Sequence, residues 1–405
     1  VTVDCGPDAG GTVVDISGSG FTGATAVGFG ATAATNFTVE SDSQISATSP
    51  AGSDGTVDVT VTTGGGTSVT NAGDKFTYAG CAYVANYTSG TVSVVNTALS
   101  SVTATITLPT TGTTAPHPDA LALTSDNTQL YVADPANETV YVYPTSTYIL
   151  EGSDDLSVGI ADPVKLALST VSGTTYLLVA NNASNAITAY TLSADLPASL
   201  DPSHTLTAPY LSGVGAMKTV FGSSKVMFAA TAGNAVGEVD PSSWTLSEVS
   251  APAGQFVEPD ALGFSTNGAT AYVADETGPI YAVTVSTLTI AGQISGTSAP
   301  GTSGDTSVPS ALWCTSSTKC FETNAGNNTI GTVSTSSPPG SMSGPPLVSA
   351  DISGPVALAS VPGVSELLVA NDAAGSVGLF DNATDSMTGI IDVGDNPCAI
   401  VVMKA

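Results

Sequence analysis

Two short motifs recur through the last three quarters of the chain, and they constrain its fold more than any other feature. The first has the form Pro-x-Ala-Leu and begins at Pro118, Pro163, Pro259, Pro309 and Pro355, with a variant, Pro397-Cys398-Ala399-Ile400, at the end. A degenerate copy, Val214-Gly215-Ala216-Met217, fills the one long gap. Successive copies lie 45, 51, 45, 50, 46 and 42 residues apart. The second motif follows about ten residues later, as in Tyr131-Val132-Ala133-Asp134 or Leu368-Val369-Ala370-Asn371. Its first copy, Tyr83-Val84-Ala85-Asn86, has no Pro-x-Ala-Leu before it, and the last Pro-x-Ala-Leu has no partner after it.

The mismatch at the two ends resolves if they belong together. The step of 8 from Pro397 to Ala405 and the step of 37 from Cys81 to Pro118 sum to 45, one further repeat. Repeats of this length, four strands each, form a ring of sheets, a β-propeller of seven blades closed by its own C-terminal strand. Closing the ring removes an edge strand that would otherwise invite pairing with other chains. Short alternating runs such as Thr91–Val95, Val102–Leu108 and Thr139–Tyr143 support an all-β reading, and no capped 3.6-period stretch opposes it. Pro at the head of an inner strand stands where no ladder donor is needed. Asn or Asp closing the second motif is expected to serve as a turn residue that bonds its own backbone.

Residues 1–80 stand apart. Alternating runs at Thr12–Ile16, Ala26–Phe29, Phe37–Val39, Gln44–Ala47 and Thr56–Thr62 are separated by Gly-rich turns, which suits a small β-sandwich. The strings GGTVVDISGSGFTGATAVGFG, TNFTVESDSQISATSPAG, GTVDVTVTTGGGTS and DKFTY resemble an IPT/TIG domain of the immunoglobulin-like superfamily. That resemblance implies a binding or spacer module. Residues 81–405 carry text such as YVANYTSGTVSVVNT, PHPDALALTSDNTQLYVAD and LLVANDAAGSVGLFDNATDSMTGIIDVG, which resembles the YVTN family of propeller repeats, surface-layer versions included.

Composition narrows the function. The chain has 6 Lys plus Arg, 34 Asp plus Glu and a formal charge of −28. All six bases are Lys, so no guanidinium fork is available for phosphate or carboxylate. Six scattered Lys make no basic stripe, which excludes nucleic acid as a partner and argues against anionic membrane surfaces. No apolar run reaches the ~18 residues of a membrane span. The chain opens at Val1 and reads as an extracellular or cell-surface product whose signal peptide is removed. Self-repulsion of the net charge fades in acid, so self-association is expected to be easier at pH 3 than at pH 7.

Five cysteines leave one over. Cys314 and Cys320 sit across a hairpin and Cys5 and Cys81 at the two ends of the sandwich, so those are the expected disulfides. Cys398 falls at the mouth end of the closing strand. No CxxC spacing points to zinc or haem. His117 and His204 both fall between repeats and carry no mark of catalysis. Asp119 and Asp260 occupy equivalent places at the start of inner strands, where with Ser310 and Glu258 they form a weak candidate for a Ca²⁺ site; otherwise no cofactor is expected. Sequons at Asn36, Asn86, Asn137, Asn182, Asn327 and Asn382 are candidate glycosylation sites, close to the number chance gives in a chain this rich in Ser and Thr. Pro/Ser/Gly-rich stretches at 297–307 and 334–346 read as surface loops.

No catalytic constellation emerges, so the expectation is not an enzyme but a structural or adhesive surface protein with protein or glycan partners. Copies of itself are among those partners, in a sheath, layer or filament. The alternatives are a propeller enzyme of lactonase type and a carbohydrate- or protein-binding module.

Overall fold

The computed structural model describes residues 1, 3–150, 155–192, 202–276, 279–294, 309–336, 340–343 and 345–404. The stretch 297–307 lies outside these residues, as does part of 334–346. The chain is all-β: an immunoglobulin-like sandwich followed by a closed ring of seven sheets.

In the sandwich, Val13–Ser17, Gln44–Thr48 and Asn36–Ser41 form one sheet. The other orders Cys5–Gly6, Lys75–Tyr78, Gly55–Thr63, Ala26–Phe29 and Thr32–Ala33. Alternation decides the inward faces: Val14 and Ile16 are buried between exposed Val13, Asp15 and Ser17. They meet Ile45, Ala47, Val59, Val61, Phe29 and Phe76 in one core. Phe29 and Phe76 pack edge to face with centroids 5.2 Å apart.

Each sheet of the ring is antiparallel and four-stranded, except the sixth, which adds Leu347–Val348 beside its third strand. The second strands are buried over their last five residues or more, and Cys81–Asn86 and Val226–Ala230 along their whole length, because neighbouring sheets cover both faces. The inner strands Ala120–Leu123, Pro163–Val171, Val214–Thr219, Pro259–Phe264, Pro309–Cys314, Pro355–Val361 and Pro397–Val402 pack each against the next, and the last returns to the first. Pro397–Val402 pairs antiparallel with Cys81–Asn86, with Ala399 opposite Ala85 and Val402 opposite Ala82. The chain ends therefore complete the first sheet together.

Asn and Asp at the ends of second strands do more than the turn role expected of them, which Asp134 fills by accepting from the Asn137 N–H of the following turn. Asp134, Asn181, Asp275 and Asn371 are strand residues, all buried. Their side chains accept hydrogen bonds from the backbone N–H groups of His117, Ala161, Val257 and Ser353 at 2.6–3.3 Å. Each donor lies two or three residues before the inner strand of the same sheet. A buried carboxylate or amide thus pins the loop that delivers the inner strand, since an unpaired N–H there would cost more than a turn residue saves.

Two disulfides are present. Cys314–Cys320 staples an inner strand to its hairpin partner. Cys5–Cys81 joins the sandwich to the first strand of the ring. Around that bridge the Asp4 N–H donates to Thr103 Oγ1 at 2.9 Å, and the Asn96 amide donates to the Asp4 carbonyl at 3.0 Å. The Val13 N–H reaches the Ser146 carbonyl at 3.2 Å.

Candidate functional site

Six inner strands skip one residue of pairing at the same place. Pro163, Val214, Pro259, Pro309, Pro355 and Pro397 pair with the second strand, the next residue does not, and pairing resumes after it. A bulge of this kind re-aims its side chain. The bulged residues are Val164, Gly215, Asp260, Ser310, Val356 and Cys398, and Asp119 holds the corresponding place in the second sheet. They ring one mouth of the axial passage.

Several of them bridge neighbouring sheets. Ser310 Oγ donates to the Pro355 carbonyl at 2.5 Å, and the Cys398 thiol to the Pro118 carbonyl at 3.2 Å. Thr231 Oγ1 lies 3.4 Å from Asp260 Oδ1. Gly215 makes room for that carboxylate: a Cβ there would lie 1.9 Å from Asp260 Oδ1. The degenerate third copy of the motif is therefore fitted to the fourth.

Lys165 supplies the cation at this mouth. Its Nζ lies 3.6 Å from Asp119 Oδ2. Burial raises the pKa of Asp260, the nearby Lys165 charge and the Thr231 hydroxyl draw it down, and Asp119 pushes it up again. Asp162 and Glu276 are likewise raised, first by burial and then by Asp119 and Asp260 respectively. Burial pushes the Cys398 thiol up to about 12, with Asp119 adding to it, so at neutral pH it is a thiol and no nucleophile.

The remaining sequence candidates separate. His117 stacks on Tyr87 with centroids 4.7 Å apart, and its Nδ1 lies 3.0 Å from the Tyr87 carbonyl, beside the mouth. His204 stands on an outermost strand, stacked on Trp244 at 3.8 Å. Glu258 is exposed on a left-handed backbone, φ 67°, with its N–H held by Asn234. Asp119 and Asp260 share the mouth, but no three His, Cys, Asp or Glu side chains converge among the described residues. With Lys165 on Asp119 and Ser310 turned to Pro355, this donor set does not fit Ca²⁺, which takes six or more oxygens. Among the sequons, Asn86 is a correction: it is fully buried, and its amide donates to Thr91 and Ser93, so the folded chain presents no nitrogen for a glycan. Asn36 and Asn327 are exposed; Asn137, Asn182 and Asn382 are half-buried.

Lys165 escaped the sequence reading. Its signal was available: at its place in the motif the other six copies carry Ala.

At the opposite end of the inner strands lies a cavity of about 820 Å³. Leu121, Leu166, Met217, Leu312, Leu358 and Ile400 contribute to its wall, and Lys218 projects into it.

Comparison with known proteins names both parts of the chain. The IPT/TIG domain family matches residues 2–78. The family described as lactonase, 7-bladed beta-propeller, matches residues 42–213, a stretch that starts within the sandwich and includes Asp119 and Lys165. The chain therefore carries an IPT/TIG domain followed by a β-propeller. No curated protein matches. Among solved structures, the periplasmic gluconolactonase of Pseudomonas aeruginosa is 19% identical, with a TM-score of 0.61 over 80% of this chain and 99% of that one. A putative 6-phosphogluconolactonase from Bacteroides fragilis is 16% identical, with a TM-score of 0.60 over 80% and 98%. A Lactobacillus plantarum protein is 16% identical, with a TM-score of 0.61 over 80% and 99%. At these identities the likeness is one of fold.

The expectation that the chain is not an enzyme is overturned by the lactonase family match. The shortage of Arg and His that prompted it did not register that Lys165 and two carboxylates meet at one mouth. The comparisons favour the lactonase-type alternative over the structural or adhesive reading.

Proposed function

We propose that this protein is a lactonase-type hydrolase that opens an uncharged cyclic ester at the acidic mouth of the ring. The observation that carries the reading is the Lys165–Asp119 pair beside the half-buried Asp260 carboxylate, at the end of strands belonging partly to the lactonase-matched stretch. In this reading Asp260 takes a proton from water as the water oxygen attacks the ester carbonyl. The Lys165 ammonium stabilises the oxyanion that develops, and Asp119 holds that ammonium in place. Collapse breaks the ring C–O bond, and the departing alkoxide recovers the proton from Asp260 to give a hydroxy acid. A raised pKa makes Asp260 a better base once ionised, and activity falls as the pH drops through that raised value.

Fold relatives titled gluconolactonase and putative 6-phosphogluconolactonase suggest sugar lactones. The mouth carries Asp119, Asp162, Asp260 and Glu276 around Lys165, which disfavours a phosphorylated substrate. Two disulfides support residence in an oxidising compartment. We also read the seven sheets as YVTN-type blades, on the repeat text alone. The test is hydrolysis of glucono-δ-lactone followed in a pH-stat. Turnover above the spontaneous rate is expected, equal with Ca²⁺ and with chelator, and Asp260→Asn should lower kcat/KM by about 10² or more. No turnover on this or other neutral lactones, or an unaffected Asp260→Asn, would overturn the reading.

A further inference from the structure

We propose that the axial cavity at the far end of the ring binds an amphipathic carboxylate, an apolar body with one anionic group, and that Lys218 is its charge partner. This site is separate from the acidic mouth and stands whether or not the lactone reading does. The chain has 34 acidic residues against six Lys, yet the described wall of this cavity holds two of the six, Lys218 and Lys404, and no carboxylate. Among the described residues, acids are absent from this wall in a molecule otherwise dominated by them. Leucines, Met217, Phe264 and Trp313 supply the apolar surface, and the volume falls within the range of small-molecule pockets, roughly 300–1,000 Å³.

Lys218 is placed for the role by an irregularity in the repeat. At its position in the inner strand the other six copies have Ala122, Ala167, Gly263, Trp313, Ala359 and Val401, none of them charged. The next strand round the ring has Gly263 there, and Lys218 reaches to the sixth sheet, where Nζ donates to the Leu312 carbonyl at 3.2 Å. The ammonium lies 5.4 Å from the centroid of the Trp313 ring. Among the described residues no carboxylate pairs with it, and two of its three donors remain for a ligand. Burial draws its pKa down to about 8. An anion in the cavity would offset that burial, as pairing does for a desolvated amine.

The experiment titrates the whole chain at pH 6.5 with decanoate, decanol and decyltrimethylammonium, reading tryptophan fluorescence and calorimetric heat. Decanoate should bind saturably and at least about tenfold more tightly than the cationic chain. Lys218→Met should weaken decanoate about tenfold while leaving decanol unchanged. On the unaltered protein, raising the pH to 10 should weaken decanoate, which is ionised at both values, without weakening decanol. Lys218 is the group on the described wall that burial brings to titrate within that interval. If Lys218→Met does not fold, the pH comparison still decides. Absence of saturable decanoate binding, equal affinity for the cationic chain, or a decanoate affinity indifferent to both Lys218 and pH would each overturn the proposal.

Discussion

Gly215 shows how single residues that break the repeat place the charges at the mouth. The bulge it occupies holds Val, Asp, Ser or Cys in other sheets, so the backbone accepts a side chain there. What it lacks is space, because Asp260 Oδ1 would lie 1.9 Å from the new Cβ. Gly215→Ala should leave the circular dichroism spectrum intact and lower lactone kcat/KM by about tenfold through displacement of that carboxylate. Unchanged kinetics would mean that Asp260 is not held by this fit. The same logic marks Lys165 in a column of alanines and Lys218 in a column otherwise without charge. Both stand out in the aligned copies, but alignment alone does not say which way they turn. That depends on the bulge, and a bulge leaves no mark in hydrophobic alternation.

At the scale of the strand, the repeat was legible because burial is periodic along the chain. Runs read from alternation fall within a residue or two of the strands Thr91–Asn96, Ser101–Thr107 and Thr139–Pro144. The role of the Asn and Asp that close the second motif was read only in part, since composition shows a turn residue but not the buried acceptor that also holds the inner-strand loop. Asp134 is the fullest case: its carboxylate accepts from the His117 and Asn137 N–H groups and from the Asn137 amide. Asp134→Ala strands these donors at a buried strand end and should cost about 2–4 kcal/mol in urea unfolding. It should also loosen the His117–Tyr87 stack beside the mouth. A loss below about 0.5 kcal/mol would show that water replaces the carboxylate at little cost.

For the whole molecule, the two disulfides differ in what they restrain. Cys5–Cys81 spans 76 residues and Cys314–Cys320 only 6. In the chain-entropy view the longer loop contributes about 2 kcal/mol more. The paired Cys5→Ala, Cys81→Ala variant should therefore lose more stability than the Cys314→Ala, Cys320→Ala variant, measured by differential scanning calorimetry; the reverse order would point to strain relief in the hairpin. Acid–base balance sets a second global property. Asp162, Asp260, Glu276 and Glu366 have folded pKa values raised by burial, so their contribution is fully present below the unfolded pKa and lost as pH rises through the folded one. Asp42, Asp126, Asp240 and Asp381 are lowered, mainly by hydroxyl and backbone hydrogen bonds that outweigh desolvation at Asp126, and their contribution is lost as pH falls through the folded value. With a charge of −28 adding repulsion at neutral pH, Tm should peak between about pH 4.5 and 6 and fall on both sides. A Tm that rises steadily to pH 8 would contradict this.

The period of the repeat, the strand alternation and the incomplete repeats at the two ends determined, without any coordinates, that the chain is a sandwich followed by a ring closed on itself. Those are local patterns of burial, and burial is written residue by residue. Tertiary structure alone decided which distant side chains share a mouth or a cavity: Asp119 with Lys165, Asp260 over Gly215, Lys218 alone against Trp313. Their meeting depends on the bulges and on closure of the ring, which bring inner strands from different repeats around one axis. The sequence spacing that revealed the repeats is blind to that geometry.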